Sequence, residues 1–443
     1  MDSPLQFNTL ILYFLSTIFF FTIGIHYFLK NPQYQHAFAK VFILFIVFML
    51  CANGVKKSLL FRESQDERFE NTELAALNAA HNFAEKGFTS NWGLPNFSRN
   101  YYDYVSGNSS KISKVLSSAT PKADRIYTHQ PPGEGWIVGL FVKACGDSSL
   151  SCPRILSTIT SSMALLFFAL MIYSSLGPLK SLVMMFFIVI IPMTRNMVYI
   201  LHYHNYAFSI YLIYLGYLLH FFKKKRKFKI STAVILFVLG FVQGWIAYEY
   251  IFLIGLSSVP FALLYSQVDR KEDIKRLFLV ILFPVIGLSL AIGLHFIQNA
   301  LYFGGITEAF NDLFERGKTR LSSANPPGWP MKVDRIWMSL WYFFVIPRSW
   351  YFFIINFPIL LSVCLVLIWF KDISITINKP INISLKWISS RRNYFVILTA
   401  FLSSFLWILI MFNQVANEGF HMARILFFSY FVCILPNPVY SNS

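Results

Sequence analysis

Charged residues are scarce in this chain of 443 residues, and their scarcity excludes an ordinary soluble protein. Only 13% of the residues are Asp, Glu, Lys or Arg, whereas charged residues make up about a quarter of a soluble domain. Hydrophobic residues account for 56% and aromatic residues for 18%, with 48 phenylalanines. This composition is typical of an integral membrane protein.

Negative charge is the scarcer sign, since 21 Asp and Glu stand against 38 Lys and Arg and give a formal net charge of +17. A basic excess can indicate a nucleic-acid-binding protein. Here the bases instead collect in short connectors between apolar runs, at 223–229, 269–276 and 386–392. Bases in short connectors mark the cytoplasmic side of a membrane protein. We therefore expect the lipid bilayer as a partner, and no nucleic acid.

Long apolar runs are what the chain has in abundance, and many come near the roughly 20 residues that cross a bilayer as a helix. The fold class is therefore predicted to be all-α, a polytopic transmembrane helical bundle of about 11 spans, with a large outer first loop that carries juxtamembrane helices. The runs lie at 8–29, 40–56, 154–174, 180–198, 205–222, 230–247, 250–267, 277–303, 350–370, 395–412 and 422–436.

The hydrophilic stretch 62–133 is predicted to face away from the cytoplasm, because its eight acids and eight bases leave it neutral. The basic connector 223–229 is predicted to be cytoplasmic, and each span before it reverses the side of the membrane. Counted in this way, stretch 62–133 lies on the outer side only if residues 134–146 do not cross the bilayer. That segment is too short to span a bilayer as a helix and contains Glu134 and Lys143. It is predicted to be a helix in the outer interface. The bases Lys56, Lys57 and Arg62 oppose this topology.

Cysteine is rare, with five residues and no Cys/His spacing typical of a zinc site. Cys145 and Cys152 flank a short polar loop predicted on the outer side, where an oxidising compartment permits a disulfide between them. The other three cysteines, Cys51, Cys364 and Cys433, fall within apolar runs, where a thiol behaves as a small hydrophobe.

The order of several short elements in the first half of the chain resembles a known enzyme family. An acid-rich start of the outer loop at 62–73 is followed by the helical stretch ending at 84–88, by YTHQPPG at 127–133, and by Arg154 at the start of the next span. This order is similar to that of the C superfamily of membrane glycosyltransferases, in particular the protein mannosyltransferase and aminoarabinose transferase group. The second half of the chain fits only in outline.

The resemblance implies an enzyme that moves a hexosyl or pentosyl group from a polyprenyl-phosphate donor to a lipid, glycan or protein acceptor on the outer or lumenal face. It implies a multi-pass protein, which we expect in a bacterial inner or plasma membrane rather than in the endoplasmic reticulum. The corresponding organisation is two N-terminal transmembrane helices (1–61), an outer catalytic loop with a juxtamembrane helix (62–153), transmembrane helices (154–303), an outer substrate loop (304–349) and C-terminal transmembrane helices (350–443).

Sugar transfer with inversion needs a carboxylate to accept the proton of the acceptor. In the family an early loop acid, often in an Asp-Glu pair, does this, so Asp66 and Glu67 are the first candidates, with Asp66 as base or metal-assisted orienter. Counting back from the helix end gives Glu73 as the rival. A divalent cation, Mg²⁺ or Mn²⁺, would steady the leaving phosphate, with Asp66 and Glu249 as its ligands. The alternative interpretation is that the acids form a solvated helix face.

Substrate-binding candidates come from the resemblance and from the predicted topology. His129 lies on a segment stiffened by two prolines and would contact phosphate or sugar, although the segment could merely dock the interface helix. Arg154 belongs to the same set by resemblance. Glu249 is an acid between two apolar runs at the outer side, which by itself predicts function. His204 would line the sugar site, unless it belongs to an aromatic interface belt.

Two later outer segments supply further candidates. Segment 304–335 is rich in bases, and Arg320 represents its potential contacts to a lipid phosphate, although bases near headgroups need no substrate. His421 lies outside before the last predicted span and is a candidate contact to donor or acceptor, or a structural interface residue.

Two other functions remain open from the sequence. A transporter or flippase of lipid-linked glycans would also carry charge within a helical bundle, but inverted repeats are not visible and the charges gather at one face. A polysaccharide polymerase or ligase would usually have its large loop later in the chain. A synthase that uses nucleotide sugars is disfavoured, because the cytoplasmic connectors lack an Asp-x-Asp motif.

Overall fold

The computed structural model describes residues 32–60, 67–96, 126–128, 130–146, 151–190, 194, 201, 203–265, 271–321, 391–410 and 427–435. These residues are almost wholly helical, and the part described contains no strand, only an isolated bridge between Asn96 and Ile126. The helices are α1 (Pro32–Leu60), α2 (Glu67–Lys86), α3 (Gly133–Cys145), α4 (Ser151–Leu176), α5 (Pro178–Ile190), α6 (Tyr203–Lys223), α7 (Ile230–Ile246), α8 (Ile251–Leu256), α9 (Ser258–Tyr265), α10 (Lys271–Phe303), α11 (Ile306–Leu321), α12 (Arg391–Ile410) and α13 (Phe427–Ile434).

The protein is an all-α helical membrane protein, as its composition predicts. Four segments of the described chain are long and apolar enough to cross a bilayer: Pro32–Lys56, Ser151–Leu176, Tyr248–Tyr265 and Lys271–Phe303. Two shorter apolar helices, Ile230–Ile246 and Phe395–Ser404, accompany them. Each of the four overlaps a predicted span. The predicted spans 8–29 and 350–370 lie outside the described residues.

One end of the helical bundle collects the basic connectors. His36, near the start of α1, bonds through Nδ1 to the Tyr173 hydroxyl near the end of α4, at 2.7 Å. Arg276, near the start of α10, donates to the carbonyl oxygen of Phe221, near the end of α6, at 2.8 Å. The connector 223–229 is therefore at the same end as the start of α10. We call this the basic end.

The opposite end, here the loop end, holds the N-termini of α4 and α6 and the C-terminus of α10. The short helix α3 lies there against α2, with Gly135 and Gly139 facing Phe83 so closely that a Cβ at either position would touch the phenylalanine. Trp136 of α3 packs edge-on against Trp245, with ring centroids 5.4 Å apart. These contacts seat α3 on the end of the bundle.

The disulfide expected between Cys145 and Cys152 is present in the structure, with the two Cα atoms 6.1 Å apart. It joins the last residue of α3 to the second residue of α4. Gly146 follows the last residue of α3 and caps the helix. Its φ of +59° is a left-handed conformation that glycine adopts without strain. The turn and the bridge together fix where α3 leaves the bundle surface.

Segment 304–335 was predicted to lie in an outer loop, and within it residues Ile306–Leu321 form helix α11. The outer location stays a prediction. Apolar residues recur at helical spacing, with Ile306, Phe310, Leu313 and Phe314 on one side. This periodicity is visible in the sequence and favours a helix there.

Helices α7 and α10 pack through glycines. A Cβ added at Gly240 would collide with the carbonyl oxygen of Pro284, and one at Gly287 would collide with the carbonyl oxygen of Phe237. A Cβ at Gly244 would also come too close to the backbone of Leu288, although less severely. Small residues at such positions let helices approach closely and gain van der Waals contact in a bilayer.

Gly240→Ala is expected to lower the free energy of unfolding by about 2 kcal/mol, because the new methyl group forces α7 away from α10. The apparent unfolding midpoint in detergent, followed by fluorescence-detected size exclusion, measures this loss. Gly293→Ala in α10 is the matched control, since a Cβ there meets no atom within 4 Å. Equal midpoints for the two variants would contradict the packing described.

Candidate functional site

Glu249 is a buried acid at the loop end, with 4% of its surface exposed. It lies in the 3₁₀ turn Tyr248–Tyr250, which joins α7 to α8. The Tyr203 hydroxyl donates to Glu249 Oε1 at 3.0 Å. His204 Nδ1 lies 3.4 Å from Glu249 Oε2, and its side chain is 1% exposed. A carboxylate removed from water in this way requires polar partners, and the first turn of α6 supplies them.

The structure thus brings together two of the predicted substrate-binding residues, Glu249 and His204. They are distant in sequence and meet because α6 begins at the end where the turn after α7 lies. Tyr203 was not among the sequence candidates. Its ring packs against that of His204 with centroids 3.9 Å apart, while its hydroxyl holds the carboxylate.

Glu134 is a second buried acid beside this pair, in the first turn of α3, with 5% of its surface exposed. Gln130 Nε2 donates to its Oε2 at 2.8 Å, and the backbone N–H of Tyr203 also bonds to its carboxyl group. Oε1 has no hydrogen-bond partner among the described residues. Burial raises the pKa of Glu134 to about 8, against the lowering effect of those two hydrogen bonds. The carboxyl group is therefore mostly protonated at neutral pH.

Tyr203 connects the two acids. Its backbone N–H bonds to Glu134 and its side-chain hydroxyl bonds to Glu249. One residue therefore links the 130–134 segment to the carboxylate of Glu249. We call Glu134, Gln130, Tyr203, His204 and Glu249 the acid cluster.

Thr128, which directly precedes His129, anchors the proline segment to the helical bundle. Its carbonyl oxygen accepts from Asn299 Nδ2 at 2.9 Å and lies 3.0 Å from His295 Nε2. Its hydroxyl donates to Asp312 Oδ2 at 2.9 Å. These bonds come from α10 and α11, so the segment is held from two helices. The rings of His295 and Tyr248, the neighbour of Glu249, have centroids 5.7 Å apart.

A row of buried polar residues runs from Arg154 down one face of α4. Arg154 is 6% exposed, and Ser157 and Ser161 follow it at helical spacing. Asn205, which follows His204, donates to Ser157 Oγ at 2.9 Å and accepts from Ser161 Oγ at 2.5 Å. The predicted residue Arg154 thus lies at the loop end, on the α4 face that meets the first turn of α6.

Of the other predicted site residues, only some lie within the described residues. Glu67 and Glu73 lie in the first half of α2, and Arg320 lies near the end of α11. Asp66, His129 and His421 lie outside the described residues. No group of three His, Cys, Asp or Glu able to hold a metal ion is found in the part of the chain described.

Sequence reasoning missed Glu134, Tyr203, His295, Asn299 and Asp312. Glu134 was used only to argue that 134–146 does not cross the bilayer. An acid in the first turn of a largely apolar 13-residue helix is itself a signal, because such a group is costly to bury. His295 and Asn299 gave a comparable signal, since they are polar residues four apart within a long apolar run.

The acid cluster and the anchor of Thr128 lie at the loop end and come from helices across the middle of the chain. Buried acids, imidazoles and amides can form hydrogen bonds with a hydroxyl-rich ligand. Comparison of the chain with models of protein families, with curated proteins and with solved structures gave no match.

Proposed function

We propose that the protein is a membrane glycosyltransferase that moves a sugar from a polyprenyl-phosphate donor to a lipid, glycan or protein acceptor. The observation that carries the proposal is the buried carboxylate of Glu249, held by Tyr203 and His204 beside the YTHQPPG segment. The resemblance to the C superfamily supports it independently, because it was drawn from the order of the loop elements and Arg154.

The reaction assigned to this site is a displacement at the anomeric carbon of the sugar. The bond from that carbon to the phosphate oxygen breaks, a bond to the acceptor oxygen forms, and the acceptor proton goes to a carboxylate. We assign that carboxylate to Asp66, with Glu67 and Glu73 as alternatives. The polyprenyl phosphate leaves with the electron pair of the broken bond, and basic side chains stabilise its charge.

The acid cluster is assigned to the sugar. Glu249 accepts hydrogen bonds from sugar hydroxyls, and His204 contributes a second polar contact beside it. Arg154 is assigned to the donor phosphate, because guanidinium groups bind phosphate oxygens in pairs. His129, Arg320 and His421 complete the proposed substrate contacts.

A divalent cation between Asp66 and Glu249 would neutralise part of the phosphate charge. Both oxygens of Glu249 already have neighbours in Tyr203 and His204. Each oxygen keeps a lone pair beyond these contacts, so Glu249 would still have an acceptor position for a cation. The transfer reaction as assigned here requires only protein side chains and no cation.

The proposed topology has about eleven crossings, with the loop end on the periplasmic, extracellular or lumenal side. The basic connectors at the opposite end of the bundle support this orientation. With this orientation, the donor-binding side would lie in the outer leaflet, and a bacterial plasma membrane is the proposed location.

Transfer of label from radiolabelled polyprenyl-phosphate sugars tests the proposal in membranes that contain the protein. Label is expected to pass from the donor into a new product with at least one hexosyl or pentosyl donor, and to stay in the donor in matched membranes without the protein. Failure with every donor, in membranes shown to contain folded protein and endogenous acceptors, would refute the proposal.

A further inference from the structure

Helix α11 leaves an apolar stripe uncovered. Ile306 is 71% exposed, and Phe310, Leu313 and Phe314 are 57%, 53% and 59% exposed. At 100° per residue these four side chains fall on one side of the helix. Four large apolar side chains together on one helix indicate a surface that is not in contact with water.

The other sides of α11 have different environments. Ala309 is 2% exposed, and Asp312, on the same side, accepts the hydrogen bond from the Thr128 hydroxyl. Glu308 and Glu315 are exposed on a third side. The helix therefore has one side toward the protein, one apolar side and one acidic side.

The position of α11 identifies what covers the apolar side. The candidate span Lys271–Phe303 ends at the loop end, and α11 begins at Ile306, after Gly304 and Gly305. Its first turn is therefore at the boundary of the hydrocarbon region. Amphipathic helices in that position lie in the interface with their apolar side toward the acyl chains.

The charges of α11 indicate which property of the lipid matters. Three acids and three bases leave residues 306–321 without net charge. Attraction to anionic headgroups thus contributes little, and apolar burial has to hold the helix. A neutral bilayer is sufficient as the partner.

We propose that α11 lies in the bilayer interface at the loop end with the Ile306 stripe against the acyl chains, and that through Asp312 it holds the Thr128 segment against α10. The carbonyl oxygen of Thr128 is bound from α10 and its hydroxyl from α11. The Thr128 segment therefore lies between α10, a candidate span, and α11, which lies in the bilayer interface. The inference concerns position and does not depend on sugar transfer.

Photocrosslinking tests the lipid contact. Benzoylphenylalanine replaces Phe310 in one protein and Glu315 in the matched control, both in nanodiscs of radiolabelled neutral phosphatidylcholine. We expect the adduct with lipid from position 310 to exceed that from position 315 at least about fivefold, because the two positions face opposite sides of the helix. A crosslink from position 310 to another segment of the chain or to a second copy, without lipid, would overturn the proposal.

Hydrogen exchange tests the tether to the proline segment. Phe310→Glu with Phe314→Glu is expected to speed amide exchange in residues 126–136 at least about fivefold, while Glu308→Gln leaves it unchanged. Exchange unaltered in the double variant would refute the coupling through Asp312. Exchange raised across the whole chain would show general loss of structure, and Asp312→Ala, which removes the acceptor of the Thr128 bond and leaves the apolar stripe intact, then decides whether the effect is local.

Discussion

Glu249→Gln is expected to lower the rate of sugar transfer about 100-fold while the protein keeps its fold. The substitution preserves the shape of the side chain and its bond from the Tyr203 hydroxyl, but it removes the charge that attracts sugar hydroxyls in the transition state. Rates measured in membranes at saturating donor separate this effect from weaker donor binding.

Two further variants provide comparisons for Glu249→Gln. Tyr203→Phe removes one hydrogen bond to the carboxylate and is expected to cost about tenfold, the effect of losing one bond to a charged group. Glu308→Gln changes an exposed acid at the same end of the protein and is expected to have no effect. Full activity in Glu249→Gln, together with normal folding, would remove Glu249 from the site.

Glu134→Gln is expected to abolish a loss of stability between about pH 5 and pH 8 in the wild-type protein. The pKa of Glu134 is about 8 in the folded protein, against an ordinary value of 4.5. The folded state thus binds this proton more tightly, so the stabilisation is full below pH 4.5 and is lost as the pH rises to about 8. The full loss is about 5 kcal/mol, because each pKa unit corresponds to about 1.4 kcal/mol.

The apparent unfolding midpoint in detergent at pH 6 and at pH 9 measures this difference. The wild-type midpoint is expected to fall at the higher pH, and that of Glu134→Gln to fall much less. Glu308→Gln, an exposed acid, should behave as the wild type does. Parallel pH profiles for wild type and Glu134→Gln would show that the carboxyl group is not buried as described.

The sequence predicted the class of the fold because that class depends on composition and run length. Helix α3 was predicted from its length. Glu249 was chosen as an acid between apolar helices, and the structure shows it buried, while its role in substrate binding stays a prediction. The sequence also placed His204 at the same end of the bundle. Both arguments rely on local patterns, which a single chain displays directly.

The contacts between the site residues could not be predicted from the sequence. That Tyr203 binds Glu134 with its backbone and Glu249 with its hydroxyl depends on how α3 lies across the start of α6. Such contacts join residues about 45 to 70 positions apart and arise from tertiary packing. The prediction of an outer loop did not specify helix α11, although the apolar spacing of residues 306–314 is helical.

The fate of a purified donor in liposomes tests the central claim most directly. Liposomes contain the protein, a polyprenyl-phosphate sugar labelled in both the sugar and the lipid, and a membrane extract as the source of acceptor. A glycosyltransferase releases free polyprenyl phosphate in step with the new sugar-containing product, and Glu249→Gln and Asp66→Asn reduce both. Recovery of the donor intact in the opposite leaflet, with no polyprenyl phosphate formed, would contradict the account and identify a transporter.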